Sequence, residues 1–170
     1  MKIDSSFKSE LEAIYQSFLK DERILKMKDI PMHRGSNCYV HSFRVAKLAI
    51  KRALKKDNVD LKTLLIGAIL HDYYLYDWRI EKDKKLMHVK KHPDVSIKNA
   101  VKDFNISKDS QEIIRRHMWP FNIDLFPNTI EARILTLADK TIYWKEELVS
   151  KKHKQKNSDK YYQEIEKLFD

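Results

Sequence analysis

Apolar positions along this chain recur at steps of three and four rather than in alternation, so the elements they predict are helices. Leu11, Ile14, Tyr15 and Phe18 share one face of a first helix, which Ser5 or Ser6 can cap and which runs to about Leu19. A short helical piece is expected over 21 to 28. A loop then runs from Pro31 to Asn37 and contains His33, Arg34 and Gly35. The second long helix spans about Cys38 to Lys55, with His41, Val45, Leu48 and Arg52 on one face. Asp60 caps the next helix, whose buried face is Leu61, Leu64, Leu65 and Ala68 and which ends near His71-Asp72. Residues 73 to 91 read as irregular, a loop with a short helical turn. Pro93 suits a first helical position with Asp94 in the first turn, which starts a helix towards Phe104 and leaves His92 at its edge. Ser107 caps a helix that ends near His117, before Pro120. The loop FNIDLFPN leads to a last long helix from about Thr129 to Val149, where Leu135, Asp139 and Ile142 share a face. A lysine-rich linker and a terminal helix at about 158 to 168 complete the chain. The expected fold is all-α, one compact helical domain over 1–170.

Composition agrees with that pattern. The chain has 170 residues, which suits one domain with a sizeable core, and only two glycines and four prolines. A sandwich or barrel needs more turn residues than that. Hydrophobic residues make up 42%, too many for a disordered chain. The single cysteine, Cys38, excludes an internal disulfide and a cysteine-based zinc site, and fits a reducing, cytoplasmic setting. The N-terminal stretch MKIDSSFKSELEAIYQSFLK carries charges through its apolar positions, so it reads as an amphipathic helix rather than a signal peptide. No run of about eighteen apolar residues would cross a membrane. The formal net charge of +9 draws anions, although the lysines are scattered apart from the run KKHKQK at 151 to 156.

The stretch AILHDYYLYDW carries an apolar helix end straight into His71-Asp72. His41 lies in line with Val45 and Leu48, and Asp139 in line with Leu135 and Ile142. A lone buried carboxylate costs several kcal/mol unless it is paired or binds metal. Four such residues on separate inward faces can share that cost by converging on one cation, or by forming a hydrogen-bonded polar cluster without one. Imidazole with carboxylate suits iron, manganese, zinc, cobalt or nickel better than calcium or magnesium. Such a cation lowers the pKa of its water to near neutrality and holds a phosphate oxygen.

The order His, then His-Asp, then Asp resembles the signature of HD-domain metal-dependent phosphohydrolases. It is carried by HSFRVAKLA, with His41 first, by AILHDYYLYDW, and by ILTLADK, which contains Asp139. The resemblance covers about residues 30 to 145, flanked by an N-terminal and a C-terminal helix. It implies an all-helical bundle and a divalent transition metal held by His41, His71, Asp72 and Asp139. It further implies hydrolysis of a phosphoester or phosphoanhydride of a small substrate, a nucleotide among the candidates, by metal-activated water. In the two-metal branches of the family, histidines between the doublet and the last aspartate hold a second ion bridged by the doublet aspartate. His92 in KKHPDVS and His117 in IIRRHMWP fall in that interval as second-metal ligands or phosphate contacts. Where some branches pair two histidines, this chain has Met118 after His117. It also has Tyr73, Tyr74, Leu75 and Tyr76 where some nucleotidases and the stringent-response hydrolases carry a glutamate after the doublet, which argues against guanosine tetraphosphate as substrate.

Around that set, Asp77 is the first carboxylate after the doublet and is expected as acid or base, or as a cap. Arg44, one turn after His41, is expected to reach a substrate phosphate or to form an ion pair. Lys140, beside Asp139, is expected to orient an anionic substrate or to extend to solvent. Tyr73, Tyr74, Tyr76, Trp78, Trp119 and Phe121 wall a pocket or pack a core. His88 and His153 are expected to be exposed, and His33 and Arg34 to lie in a solvated loop. The partner class is a small phosphorylated molecule. No membrane and no nucleic acid is expected, and the aromatic content leaves room for a homo-oligomer. A second reading stays open, a non-catalytic nucleotide- or RNA-binding module that keeps the HD fold and uses the KKHKQK face.

Overall fold

The structure is a computed structural model and describes residues 3–32, 36–80, 85–150 and 158–169. His33, Arg34 and the run KKHKQK, with His153, lie outside the described residues. Among the described residues the chain forms eight α-helices, one 3-10 turn and no strand, so the all-α expectation holds. No helix among them is long and apolar enough to cross a membrane.

α1 (Ser5–Lys20) is capped by Asp4, whose carboxylate accepts from Phe7 N at 2.7 Å, and not by Ser5 or Ser6 as expected. Asp4 keeps extended backbone angles while both serines have already turned helical, so only Asp4 can turn its oxygen back onto the free amides. α2 (Glu22–Leu25) runs into a 3-10 turn at Lys26–Asp29. α3 (Cys38–Ala53) is capped by Asn37, and α4 (Leu61–Leu70) by Asp60, which accepts from Lys62 N and Thr63 N. α6 (Lys108–Arg116) is capped by Ser107. α7 (Ile130–Ser150) starts beside Thr129, whose hydroxyl accepts from Ala132 N, and α8 (Ser158–Glu164) follows.

α5 departs from the sequence pattern. It starts at Lys85, about two turns before Pro93, so Pro93 lies inside the helix and His92 in its middle rather than at its edge. Proline removes one backbone donor and crowds the preceding turn, a cost of about 3 kcal/mol in an isolated helix. Here that upstream turn is held from outside. Trp78 stacks on His88 (5.2 Å between centroids, 15° between planes), and His88 stacks on His92 (4.7 Å, 23°). Tertiary contact of this kind overrides local propensity.

α4 is the middle of the fold. Leu61, Leu64, Leu65, Ala68, Ile69 and Leu70 are all buried, so the helix is covered on nearly every side. It packs against α1, α3, α5, α6 and α7. Each fully buried leucine contributes roughly 1.5–3 kcal/mol. α3 packs between α4 and α7 and also meets α8. The consequence for function is positional, because the C-terminal end of α4 opens onto the first turn of α3, the middle of α5, the end of α6 and the middle of α7.

Candidate metal centre

His71 and His117 each follow the last residue of a helix and cap it. Each ring turns its Nδ1 back to the carbonyl three residues earlier, Ala68 O at 2.8 Å and Ile114 O at 2.7 Å. Those carbonyls belong to the last helical turn, and at Ile114 O the ring adds to the His117 backbone N–H, which also donates there at 3.3 Å. His92 does the same within α5, its Nδ1 donating to His88 O at 3.0 Å. His41 points its Nδ1 at the Glu146 carboxylate, 2.9 Å away. A carbonyl or carboxylate only accepts, so these four partners assign the ring proton to Nδ1 and leave Nε2 bare in the neutral imidazole.

All four Nε2 atoms then converge on two carboxylates. His41 Nε2 lies 3.1 Å from Asp139 Oδ1 and 3.9 Å from Asp72 Oδ2. His71 Nε2 lies 3.3 Å from Asp72 Oδ2 and 3.8 Å from Asp139 Oδ1, and although buried it has no hydrogen-bond partner among the described residues. On the other side of Asp72, its Oδ1 lies 3.2 Å from His92 Nε2 and 3.8 Å from His117 Nε2. The Nε2 atoms of His92 and His117 face each other at 3.0 Å. Two lone pairs at that distance repel, and so do lone pairs against anionic oxygens, unless positive charge sits among them. His41, His71, Asp72 and His117 are at most 5% exposed, which rules out relief by bulk water. The donor set therefore fits a cation, by charge and by ligand type. Three groups of three offer ligand atoms within 4.8 Å of one another: His41, His71 and Asp72; His71, His117 and Asp139; Asp72, His92 and His117.

The titration behaviour reports the same field. Burial alone would push the His41 pKa down, yet the Glu146 and Asp139 carboxylates carry it up to about 9. His71 moves well above its ordinary value for the same reason, burial being outweighed by Asp72 and Asp139. Burial would raise Asp72, but His71 and His92 hold it well below the usual carboxylate range, and Asp139 is lowered likewise by His41 and His71. His117 goes the other way, to about 3, through burial and the neighbouring His92 and His71.

The remaining expected residues take varied places. Arg44 lies beside the cluster, behind Glu146. Its Nη1 donates to Glu146 Oε1 at 2.6 Å and its Nε to Glu164 Oε2 at 3.0 Å. Lys140 is half-buried, its Nζ donating to His117 O at 3.2 Å, and burial lowers its pKa against the pull of Asp139. Asp77 pairs with Arg79 (3.0 Å) and accepts from its backbone N–H; these bonds hold its carboxyl below the usual range. Tyr73 and Tyr74 are buried in the core, and Tyr74 sets its ring edge-on to His92. Tyr76 bonds to His88 through its hydroxyl at 2.9 Å, and Trp78 stacks on that same ring. His88 is thus half-buried in an aromatic stack, contrary to the exposure expected of it, because Trp78 and Tyr76 fold back over α5. Trp119 is half-buried against Phe126, and Phe121 is exposed. Glu146 was not singled out from the sequence. Its signal is present all the same, since Leu135, Asp139, Ile142 and Glu146 continue one face at steps of four, three and four.

A family model for the HD domain matches residues 38–144. Neither the curated proteins nor the solved structures gave a match to the chain. The matched span covers well over half of the sequence, opens at the turn that presents His41 and closes just after the residues that present Asp139. Because it takes in every side chain that converges on the cluster, the chain belongs to the HD-domain family.

Proposed function

We propose that this protein is a metal-dependent phosphohydrolase that cleaves a phosphoester or phosphoanhydride bond of a small phosphorylated molecule, with nucleotides among the candidate substrates. One observation carries this reading: four imidazoles, each with Nδ1 committed to an acceptor, aim bare Nε2 atoms at two carboxylates, Asp72 buried and Asp139 partly so.

In this reading His41, His71, Asp72 and Asp139 hold one divalent cation. His92 and His117, with Asp72, would hold a second. Iron, manganese, zinc, cobalt and nickel are the candidates by ligand type. When bound, such cations lower the pKa of water and offset the charge of a phosphate oxygen. Two divalent cations against two carboxylates leave a positive residue, which complements a phosphate monoester dianion. Asp72, with Oδ2 towards His41 and His71 and Oδ1 towards His92 and His117, would hold the two groups of ligands in register. Lys140 adds a cation beside Asp139 and binds a phosphate oxygen. Asp77, kept ionised by Arg79, would act as a base or a water-orienting acceptor rather than as an acid. Arg44 acts through Glu146 rather than on the substrate.

The test is elemental analysis of untagged protein beside Asp72→Ala, followed by a screen of phosphorylated metabolites with the metal found. The expected result is one or two equivalents of a transition metal, lost in the variant together with turnover while the helical content stays. Metal-free protein that takes up none of the five ions, or full turnover in Asp72→Ala, would sink the proposal.

A further inference from the structure

Glu146 is wholly buried and lies just beyond the span matched to the family. A buried carboxylate is costly unless its oxygens and charge are met. Here Oε2 accepts from His41 Nδ1 at 2.9 Å and Oε1 from Arg44 Nη1 at 2.6 Å. Burial would raise the Glu146 pKa, but His41 and Arg44 hold it below the usual range. Arg44 is fixed in turn by α8. Its Nε donates to Glu164 at 3.0 Å, and its guanidinium lies 3.9 Å above the buried Tyr161 ring.

The C-terminal segment is itself fastened to the N-terminal half. Tyr15 Oη donates to Ile165 O at 2.8 Å, Asn37 Nδ2 to Tyr162 Oη at 2.9 Å, and the Glu12 carboxylate accepts from Leu168 N and Phe169 N. One continuous chain of contacts therefore runs from α8 to a metal-facing imidazole. An acceptor on the far nitrogen fixes a ligating histidine's tautomer and raises its basicity, and its loss typically costs 10–100-fold in metal affinity. Resting on the metal-site reading above, we infer that Glu146, Arg44, Tyr161 and Glu164 are positioning residues through which the C-terminal helix sets the cation affinity at His41.

The probe is cobalt(II) alone, added to full-length metal-free protein, with affinity read by chelator competition and coordination by visible absorption. Glu146→Gln keeps size but removes the charge that supports His41, together with one of the two acceptors that meet His41 Nδ1 and Arg44 Nη1. It should weaken cobalt binding by about 10–100-fold and change the absorption band. The double variant Tyr161→Leu with Glu164→Gln removes both α8 contacts made to Arg44 and leaves Glu146 and His41 in place, at the cost of trimming one buried ring. It should weaken binding several-fold and change the band in the same direction, with Arg44→Lys in between. Urea unfolding of each metal-free variant separates this from a general loss of stability. If Glu146→Gln does not fold, the α8 double variant decides. Wild-type affinity and spectrum in that double variant would overturn the inference. Wild-type cobalt affinity in Asp72→Ala would instead overturn the metal site itself, so the two failures are told apart.

Discussion

Each imidazole in the cluster has one nitrogen tied to the backbone or to Glu146 and the other aimed at carboxylates, so in metal-free protein protons must stand where a cation would. That has a measurable consequence. His41 keeps its proton up to about 9 in the folded chain, against about 6.5 when unfolded. Its contribution to stability is complete below pH 6.5 and is lost as pH rises towards 9. His117 and His88 have the opposite sign, with burial and the nearby His92 lowering them to about 3 and about 4. The unfolded chain binds protons there first, so stability is lost as pH drops below 6.5. Metal-free protein should melt highest near pH 6.5 and lose roughly 5 °C or more by pH 9, read by calorimetry after chelation. A flat profile from pH 6.5 to 9 would contradict this arrangement. Saturating metal should remove the alkaline slope. The converging ligands were legible in sequence because a histidine or carboxylate interrupts an otherwise apolar face, as at His41, His71-Asp72 and Asp139. Glu146 escaped because it sits in the charged run Lys145-Glu146-Glu147, which reads as solvent-facing. His88 escaped because nothing local announces that Trp78 folds over it.

Between elements, the site depends on how closely α4 and α6 approach. Gly67 permits that approach. A Cβ there would collide with Ile113 Cδ1 and lie 2.7 Å from its Cγ1. Helix propensity alone would make alanine better than glycine by about 1 kcal/mol. Overpacking a tight core costs about 1–3 kcal/mol, and we expect it to win. Gly67→Ala should lower the urea midpoint, and adding Ile113→Val, which removes Cδ1, should recover part of the loss. Because these two helices end in His71 and His117, whose rings lie 5.0 Å apart, the same variant should also weaken metal uptake. A stabilised Gly67→Ala would mean that α6 yields freely. Helix caps were legible where a single good acceptor precedes an apolar run, as at Asp60 and Ser107. The start of α5 was not, because proline at 93 mimics a first helical position. What overrides that signal is a ring stack in which Trp78, well upstream of the helix, covers His88 and through it His92.

On the scale of the whole molecule, the net charge of +9 favours the anionic substrate that we propose. For a phosphorylated substrate, kcat/KM should fall as salt rises from about 20 to 200 mM, with most of the change in KM, since screening lengths shrink over that range. Insensitivity to salt would point to a neutral or weakly charged substrate. The all-helical class was legible in glycine scarcity and in the 3.6-residue period. The seating of the segment after α8 against α1 was not, because its bonds run from backbone groups at 165 to 169 to side chains at the other end of the chain. Burial of the cluster carries one more implication. Asp139, with its side chain 14% exposed, reaches solvent most, and Asp72 and His92, at 7% and 5%, far less. An ion held by donors that are mostly buried is released only as several of them let go together, so exchange runs closer to the clock of local opening than to that of diffusion. The metal recovered with the protein is then a memory of what was abundant when the chain folded. Two preparations grown on different media can carry different ions and different activities, with no difference in sequence or in equilibrium preference.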